Sequence, residues 1–314
     1  MPWSASDIPD LTGKVAVVTG ANGGLGKATT KALAGKGAHV VMAARNQEKA
    51  QRAFDEVRGV HPAASLEIIE LDLGSLRSVA EAAEEIREKH PMIDQLILNA
   101  GVMAIPESTT EDGFESQLGI NVLGHWALLS HLLPNVVRTP GARVVTLSSL
   151  AAHQGKAIDP DNPHMRGRYD AWEQYGNTKL AMRHLAQGLH EQFRTVGVDA
   201  DAITAHPGLT NSDLQTTTVE SGNEGLLAKG SHVAVRYVGM SEDSGALSQL
   251  RAATDPDATG GAQYGPLFGV AGPPVRKPLV RPASGAIEKL RQVCETETGR
   301  EVDVRHAKQA DPAG

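Results

Sequence analysis

Short apolar, β-branched runs alternate along the chain with longer stretches of helical periodicity. Residues 14–19 (KVAVVT), 38–43 (AHVVMA), 66–71 (LEIIEL), 93–98 (IDQLIL), 143–147 (RVVTL) and 198–204 read as strands, with a short one near 263–264. Helical patterns fill 24–34, 46–58, 75–89, 172–196 and about 243–253. Asn46 stands where it can cap the second of these. Residues 113–137 are expected to hold one or more helices, broken near Pro134. Buried strands alternating with helices predict an α/β fold. It is a doubly wound parallel sheet covered on both faces, three layers α/β/α in a single domain. In such sheets ligands bind beyond the carboxyl ends of the strands, so the residues just after each strand are the first candidates.

Two segments depart from the pattern. Residues 152–171 are polar, contain Pro160 and Pro163, and are expected to form a long loop. Residues 265–284 are rich in Gly and Pro and read as an extended surface segment leading to a last short helix, 287–295. Beyond 304 the chain is expected to fray. The core thus spans about 12–270, with 271–314 a C-terminal extension.

Composition narrows the classes. The 314 residues carry a net charge of −7 with no long run of either sign, which argues against a nucleic-acid binder. The single cysteine, Cys294, excludes an intrachain disulfide and fits a reducing compartment. The first 13 residues lack the basic start and apolar core of a signal peptide, and no apolar run is long enough to span a membrane. A cytoplasmic protein is expected.

After the first strand comes Gly20-Ala21-Asn22-Gly23-Gly24-Leu25-Gly26, opening a helix. Glycines there let backbone N–H groups approach a pyrophosphate, and the helix N-terminus adds its partial positive charge. At the end of the second strand an NAD site wants an acid for the ribose hydroxyl. This chain has Arg45-Asn46 instead, and a guanidinium suits a 2′-phosphate. NADP(H) is therefore expected in preference to NAD(H). Asp72-Leu73 follows the third strand, where the carboxylate could accept from an adenine amino group or cap the next helix. Asn99-Ala100-Gly101 follows the fourth, and its small residues let the backbone lie against a ribose.

Tyr175 and Lys179 lie four apart and share one helical face. Hydride addition to a carbonyl leaves an alkoxide that needs a proton, and a tyrosine can supply it if an adjacent ammonium draws its pKa down. Ser149, after the fifth strand, could polarise the substrate oxygen, with Ser148 as the alternative. Asn121 could hold a water relaying protons to Lys179. His125, His131, His184 and His190 lie on helices without metal-ligand spacing, so no metal is expected. His206 and Trp172 stand near these candidates.

Taken together, Gly20-x-x-x-Gly24-x-Gly26, Asp72, Asn99-Ala100-Gly101, Asn121, Ser149, Tyr175-x-x-x-Lys179 and Pro207-Gly208 resemble the short-chain dehydrogenase/reductase family over about residues 12–300. Ala44-Arg45-Asn46, Ser148-Ser149-Leu150-Ala151 and the segment 175–181 are similar to its retinol dehydrogenase-like branch, which includes the oxidoreductase part of WW-domain oxidoreductase. The resemblance implies a Rossmann fold, NAD(P)(H) and an Asn-Ser-Tyr-Lys tetrad. It also implies that Pro207, Gly208 and Thr210 lie near the nicotinamide amide, and that the substrate is a small apolar alcohol, aldehyde or ketone. The stretch between Ser149 and Tyr175 is longer than in a minimal member and is expected to fold over the rim of the substrate pocket. Residues 209–231 are expected to form a lid. A homo-oligomer could form through the helices at 113–137 and 172–196, unless the C-terminal tail covers that face. Two other readings are a nucleotide-binding sensor without turnover and a sugar-nucleotide epimerase. The complete tetrad weighs against the first, and the glycine spacing and small C-terminal part weigh against the second.

Overall fold

The computed structural model describes residues 2–210, 240–278 and 280–309. Its eight strands are β1 Val15–Thr19, β2 His39–Ala44, β3 Ser65–Glu70, β4 Gln95–Leu98, β5 Ala142–Leu147, β6 Ala200–Ala205, β7 Gln263–Pro266 and β8 Pro274–Lys277. They form one sheet in the order β3-β2-β1-β4-β5-β6-β7-β8. Every pairing is parallel except β7 with β8, which is antiparallel. The order reverses beside β1, where the chain leaves one half of the sheet and begins the other. That is the place where doubly wound sheets open a crevice.

The helices are α1 Gly24–Ala34, α2 Gln47–Val60, α3 Leu76–Lys89, a short α4 Ser116–Leu118, α5 Gly124–Val137, α6 Ala171–Val196, α7 Glu242–Thr254, α8 Ala286–Thr298 and α9 Val304–Gln309. Successive strand residues point to opposite faces, and both faces are apolar. Val17, Leu96, Leu98 and Val144 face α3, α5 and α6 in one core. Val18, Ile97, Val145 and Ile203 face α1 and α7 in the other, with Leu33 and Leu250. A buried leucine such as Leu33 contributes about 2–5 kcal/mol relative to Ala, so each layer is held by many such terms. Among the described residues no helix is long and apolar enough to cross a membrane.

Three expectations need correction. Pro134 does not break its helix, because α5 continues to Val137. A proline costs one backbone donor, and Leu132, Leu133 and Val136, all buried, hold the last turn in place. Residues 265–284 contain a strand, β8, which begins with Pro274 at the sheet edge, where a missing N–H is tolerated. Residues 304–309 are not frayed: α9 buries Val304 and Ala307, and Asp303 accepts from the backbone N–H groups of Arg305 and His306. The α8 and α9 helices pack on α5 and α6, the face where an oligomer contact was expected.

The frame also buries histidines. His125, His184 and His206 are each pushed down to about 4 from 6.5, chiefly by burial, and half-buried His131 likewise. Their folded pKa values lie below the unfolded value, so their stabilisation is present above pH 6.5 and is lost as pH falls toward 4. Each fully protected imidazole steepens the decline by up to about 1.4 kcal/mol per pH unit. Urea unfolding at pH 7 and pH 5 should therefore show a clearly lower midpoint at pH 5. Equal midpoints would mean that these rings are not held neutral.

Candidate active site

The site is assembled from the carboxyl ends of β1 to β6. Thr19 ends β1, and its hydroxyl accepts from the backbone N–H groups of Asn99 and Ala100 at 2.9 and 3.0 Å. Asn99 Nδ2 donates to the Thr19 carbonyl at 2.8 Å, so the turns after β1 and β4 are stitched together. Gly20 and Gly24 have φ of +67° and +49°, a region that other residues rarely adopt. A Cβ at Gly26 would overlap the Gly20 carbonyl oxygen and lie 2.7 Å from Asn99 Nδ2. No side chain caps the start of α1 at Gly23, which leaves its first N–H groups available to an anion.

These turns wall a cavity of about 350 Å³. Gly20, Asn22, Gly23, Gly24, Leu25, Gly26, Arg45, Asn46, Asp72, Leu73, Asn99, Ala100 and Gly101 line it. Every residue assigned from the sequence to the turns after β1–β4 is thus brought together. Lys49, Val102 and Ile120 line it too and were missed. Lys49 had a signal, since it lies one helical turn beyond Arg45 at the start of α2. Arg45 is exposed and stands 3.8 Å from Asp72 Oδ2. Asn46 caps α2, accepting from Lys49 N at 2.8 Å. Asp72 does not cap α3, because Ser75 occupies that position; Asp72 Oδ1 accepts from Gly74 N at 2.8 Å instead.

Asn121 lies in a π-helical turn, Gly119–Leu123, between α4 and α5. Such turns are rare and often mark functional positions. Its Oδ1 accepts from Val102 N at 2.8 Å, and its Nδ2 donates to Val102 O at 2.9 Å and to Thr178 Oγ1 at 3.1 Å. The side chain therefore braces the Gly101–Val102 backbone against α6, one residue before Lys179. A Cβ added to Gly101 would sit 2.9 Å from Asn121 Oδ1 and 3.1 Å from Lys179 Nζ. Lys179 and Asn121 thus both abut the cavity wall at Gly101. His125, the second residue of α5, was missed as part of this assembly. Its Nδ1 is 3.0 Å from the Asn121 carbonyl and its Nε2 is 3.0 Å from Thr19 Oγ1, which links the π-helical turn to the end of β1.

Tyr175 and Lys179 are buried on one face of α6, with the ammonium 5.7 Å from the tyrosine ring. Burial pushes Lys179 down to about 8, which leaves it mostly an ammonium at neutral pH. Burial pushes Tyr175 up, and a hydrogen bond with Ser149 opposes the rise. This corrects the expectation that Lys179 draws the phenol down: Lys179 stands over the ring face, and burial dominates. Ser148 and Ser149 separate cleanly. Ser148 Oγ donates to the Lys179 carbonyl at 2.8 Å and is buried, so its hydroxyl serves the fold. Ser149 is partly exposed, starts a short turn at Leu150–His153 and faces Tyr175. Trp172 packs edge-on against Tyr175, with centroids 6.2 Å apart.

Pro207, Gly208 and Thr210 follow β6 and lie outside the cavity lining. Gly208 has φ +75°, and Leu209 N donates to Val270 O at 2.9 Å. Thr210 Oγ1 donates to Pro207 O at 3.2 Å, and Thr210 and Leu25 both crowd Gly245 of α7. His206 is buried, its Nδ1 accepting from Gly208 N at 3.3 Å, so it holds this turn. The long stretch before Tyr175 is pinned by Gln174 Nε2, which donates to Glu115 Oε2 at 2.8 Å, and by Tyr169, which donates to Ile105 O at 2.8 Å. Residues 211–231 of the expected lid lie outside the described residues.

The doubly wound sheet carries a glycine-walled cleft, with a buried Tyr-Lys pair whose lysine abuts the cleft wall at Gly101. The chain belongs to the short-chain dehydrogenase family, whose profile matches residues 14–222, and it falls with that family's retinol dehydrogenase-like branch. Retinol dehydrogenase 13 of Homo sapiens is 39% identical over 205 residues, 65% of this chain and 61% of that protein. The chain thus spans about three fifths of that relative's length. A short-chain dehydrogenase/reductase of Armillaria gallica is 36% identical over 264 residues, covering 82% of this chain and 81% of that one. Among solved structures, a protein from Mycobacterium Paratuberculosis superposes with a TM-score of 0.77 at 35% identity, covering 96% of this chain and 99% of its own. The NADP complex of Pseudomonas aeruginosa RhlG shares the fold, with a TM-score of 0.63 at 23% identity over 82% of this chain and 95% of that one.

Proposed function

We propose that the protein is an NADP(H)-dependent oxidoreductase interconverting an alcohol and a carbonyl on a small apolar molecule. The observation that carries this reading is the buried Tyr175–Lys179 pair on one face of α6, the ammonium 5.7 Å from the ring and abutting Gly101 of the cavity wall. The cavity fits a dinucleotide. Its glycines leave room that a Cβ would fill, and an uncapped helix start points into it. Gly20 and Asn22 to Gly26 would hold the pyrophosphate, Asp72 the adenine side, and Asn99 to Gly101 the ribose next to the nicotinamide. When bound, the cofactor supplies or accepts the hydride.

The chain's own residues supply the rest. Ser149 donates to the substrate oxygen and stabilises charge developing there. Tyr175, held protonated by burial, gives its proton to that oxygen in reduction and takes it back in oxidation. Lys179 holds a cation over the Tyr175 ring face and against the cavity wall at Gly101, where it would bind the hydroxyls of the nicotinamide ribose. Asn121 fixes the Val102 backbone and the Thr178 position, so it is read as a positioning residue. Leu267, Phe268 and Val270 are exposed on the hairpin beside Gly208, and this supports an apolar substrate.

Arg45 and Lys49 at one end of the cavity support NADP(H) over NAD(H). Thermal melts with NADPH and NADH test this. NADPH should stabilise the wild type more than NADH at equal concentration, and Arg45→Ala should erase most of that advantage. The expected loss of NADPH affinity is about 10–100-fold, taking a charge-assisted contact as about 1.5–3 kcal/mol. A preference for NADPH that survives Arg45→Ala with Lys49→Ala would remove both residues from the role.

A further inference from the structure

A second cluster lies at the opposite ends of the strands. His39 opens β2, Glu67 sits on the neighbouring edge strand β3, and His90 caps the end of α3. Glu67 Oε2 is 2.9 Å from His90 Nε2 and 3.6 Å from His39 Nε2. One ligand atom from each residue lies within 4.8 Å of the others. A tetrahedral ion with bonds of about 2.0–2.1 Å to nitrogen and oxygen spaces its ligand atoms about 3.3 Å apart. The two measured edges bracket that spacing.

The surroundings fit ligation. His39 Nδ1 is 2.7 Å from Ser65 Oγ, which orients the ring from behind, as partners of metal-bound histidines do. His39 Nε2 is buried and makes no hydrogen bond. The β2–β3 register places His39 opposite Ser65, and alternation puts Ser65 and Glu67 on the same face of β3. Lys89 contacts Glu67 and also bonds Glu85 Oε1 at 2.7 Å, so it can shift onto Glu85 and free the Glu67 carboxylate.

We propose that His39, Glu67 and His90 form a site for a divalent transition-metal ion of the zinc type, with water in the fourth position. Two imidazoles and one carboxylate select such an ion over magnesium or calcium, which prefer all-oxygen sites. The ion would clip edge strand β3 to β2 and α3. The spacing in sequence hides the site, because its ligands come from three elements.

Calorimetric titration of the chelator-stripped full chain with zinc sulfate tests it. Wild type should bind one ion that His39→Gln and His90→Gln each weaken at least about tenfold, with magnesium giving no heat. Lys89→Met should tighten binding, since it removes the competing cation. The NADPH-induced shift in melting temperature should stay unchanged in all three variants, because the cavity lies at the other ends of the strands. Cobalt(II) gives a readout without substitution: the strong visible absorption of a four-coordinate ion is expected. Zinc binding that is absent, or equal in wild type and both histidine variants, would overturn the proposal. So would a pale six-coordinate cobalt spectrum.

Discussion

Tyr175→Phe should lower kcat by about 10²–10⁴-fold while leaving nucleotide affinity nearly unchanged. The ring is buried against Trp172 and the Lys179 side chain, and Phe keeps that packing. Only the hydroxyl is lost, and with it the proton donor that burial keeps protonated. An alkoxide formed in the buried site would then have to find its proton elsewhere. The loss belongs in kcat because the proton moves only as the reaction proceeds. The check is steady-state kinetics of nicotinamide turnover alongside a thermal melt with NADPH. A variant that still binds NADPH and turns over at the wild-type rate would take Tyr175 out of the chemistry.

Gly26→Ala should abolish nucleotide binding at concentrations that saturate the wild type. The added Cβ meets the Gly20 carbonyl oxygen and Asn99 Nδ2, and Asn99 Nδ2 is fixed by its bond to the Thr19 carbonyl at the end of β1. Backbone must shift, and the backbone that shifts is the anion-binding turn itself. A loss of at least about a hundredfold in affinity corresponds to about 2.7 kcal/mol. Gly59→Ala is the control. Gly59 is inside α2, a Cβ there meets nothing within 4 Å, and Ala should stabilise by about 0.5–1 kcal/mol without touching binding. Calorimetric titration with NADPH separates the two variants. Normal affinity in Gly26→Ala would show that the turn does not hold the nucleotide.

The strand–helix alternation was legible because β1, β2, β4, β5 and β6 are buried on both faces, so they read as largely apolar runs. The cleft was legible for a related reason: residues just after strands are few, and glycines among them have little other use. What escaped has physical causes. β8 is four residues with a proline at its start, and it exists because β7 offers an edge to pair with. The α9 helix is too short to stand alone and forms because Val304 and Ala307 find a buried place against α5 and α6. Pro134 misled because local propensity yields to packing. The pKa of Tyr175 was misjudged because i, i+4 spacing gives proximity to Lys179 but does not reveal burial, and burial dominates here. His125 looked like any helical histidine, because its bond to Thr19 joins residues more than a hundred positions apart.

Hydride transfer itself is the claim on which the proposed function rests, and following an isotope tests it most directly. The full chain would be incubated with NADPH deuterated at C4 of the nicotinamide, a panel of apolar aldehydes and ketones, and Tyr175→Phe as the control. Mass spectrometry of the alcohols should find deuterium on the former carbonyl carbon with wild type and little with the variant. If NADPH binds but no carbonyl acquires deuterium, the protein is a nucleotide-binding fold without this chemistry, and the oxidoreductase reading is contradicted.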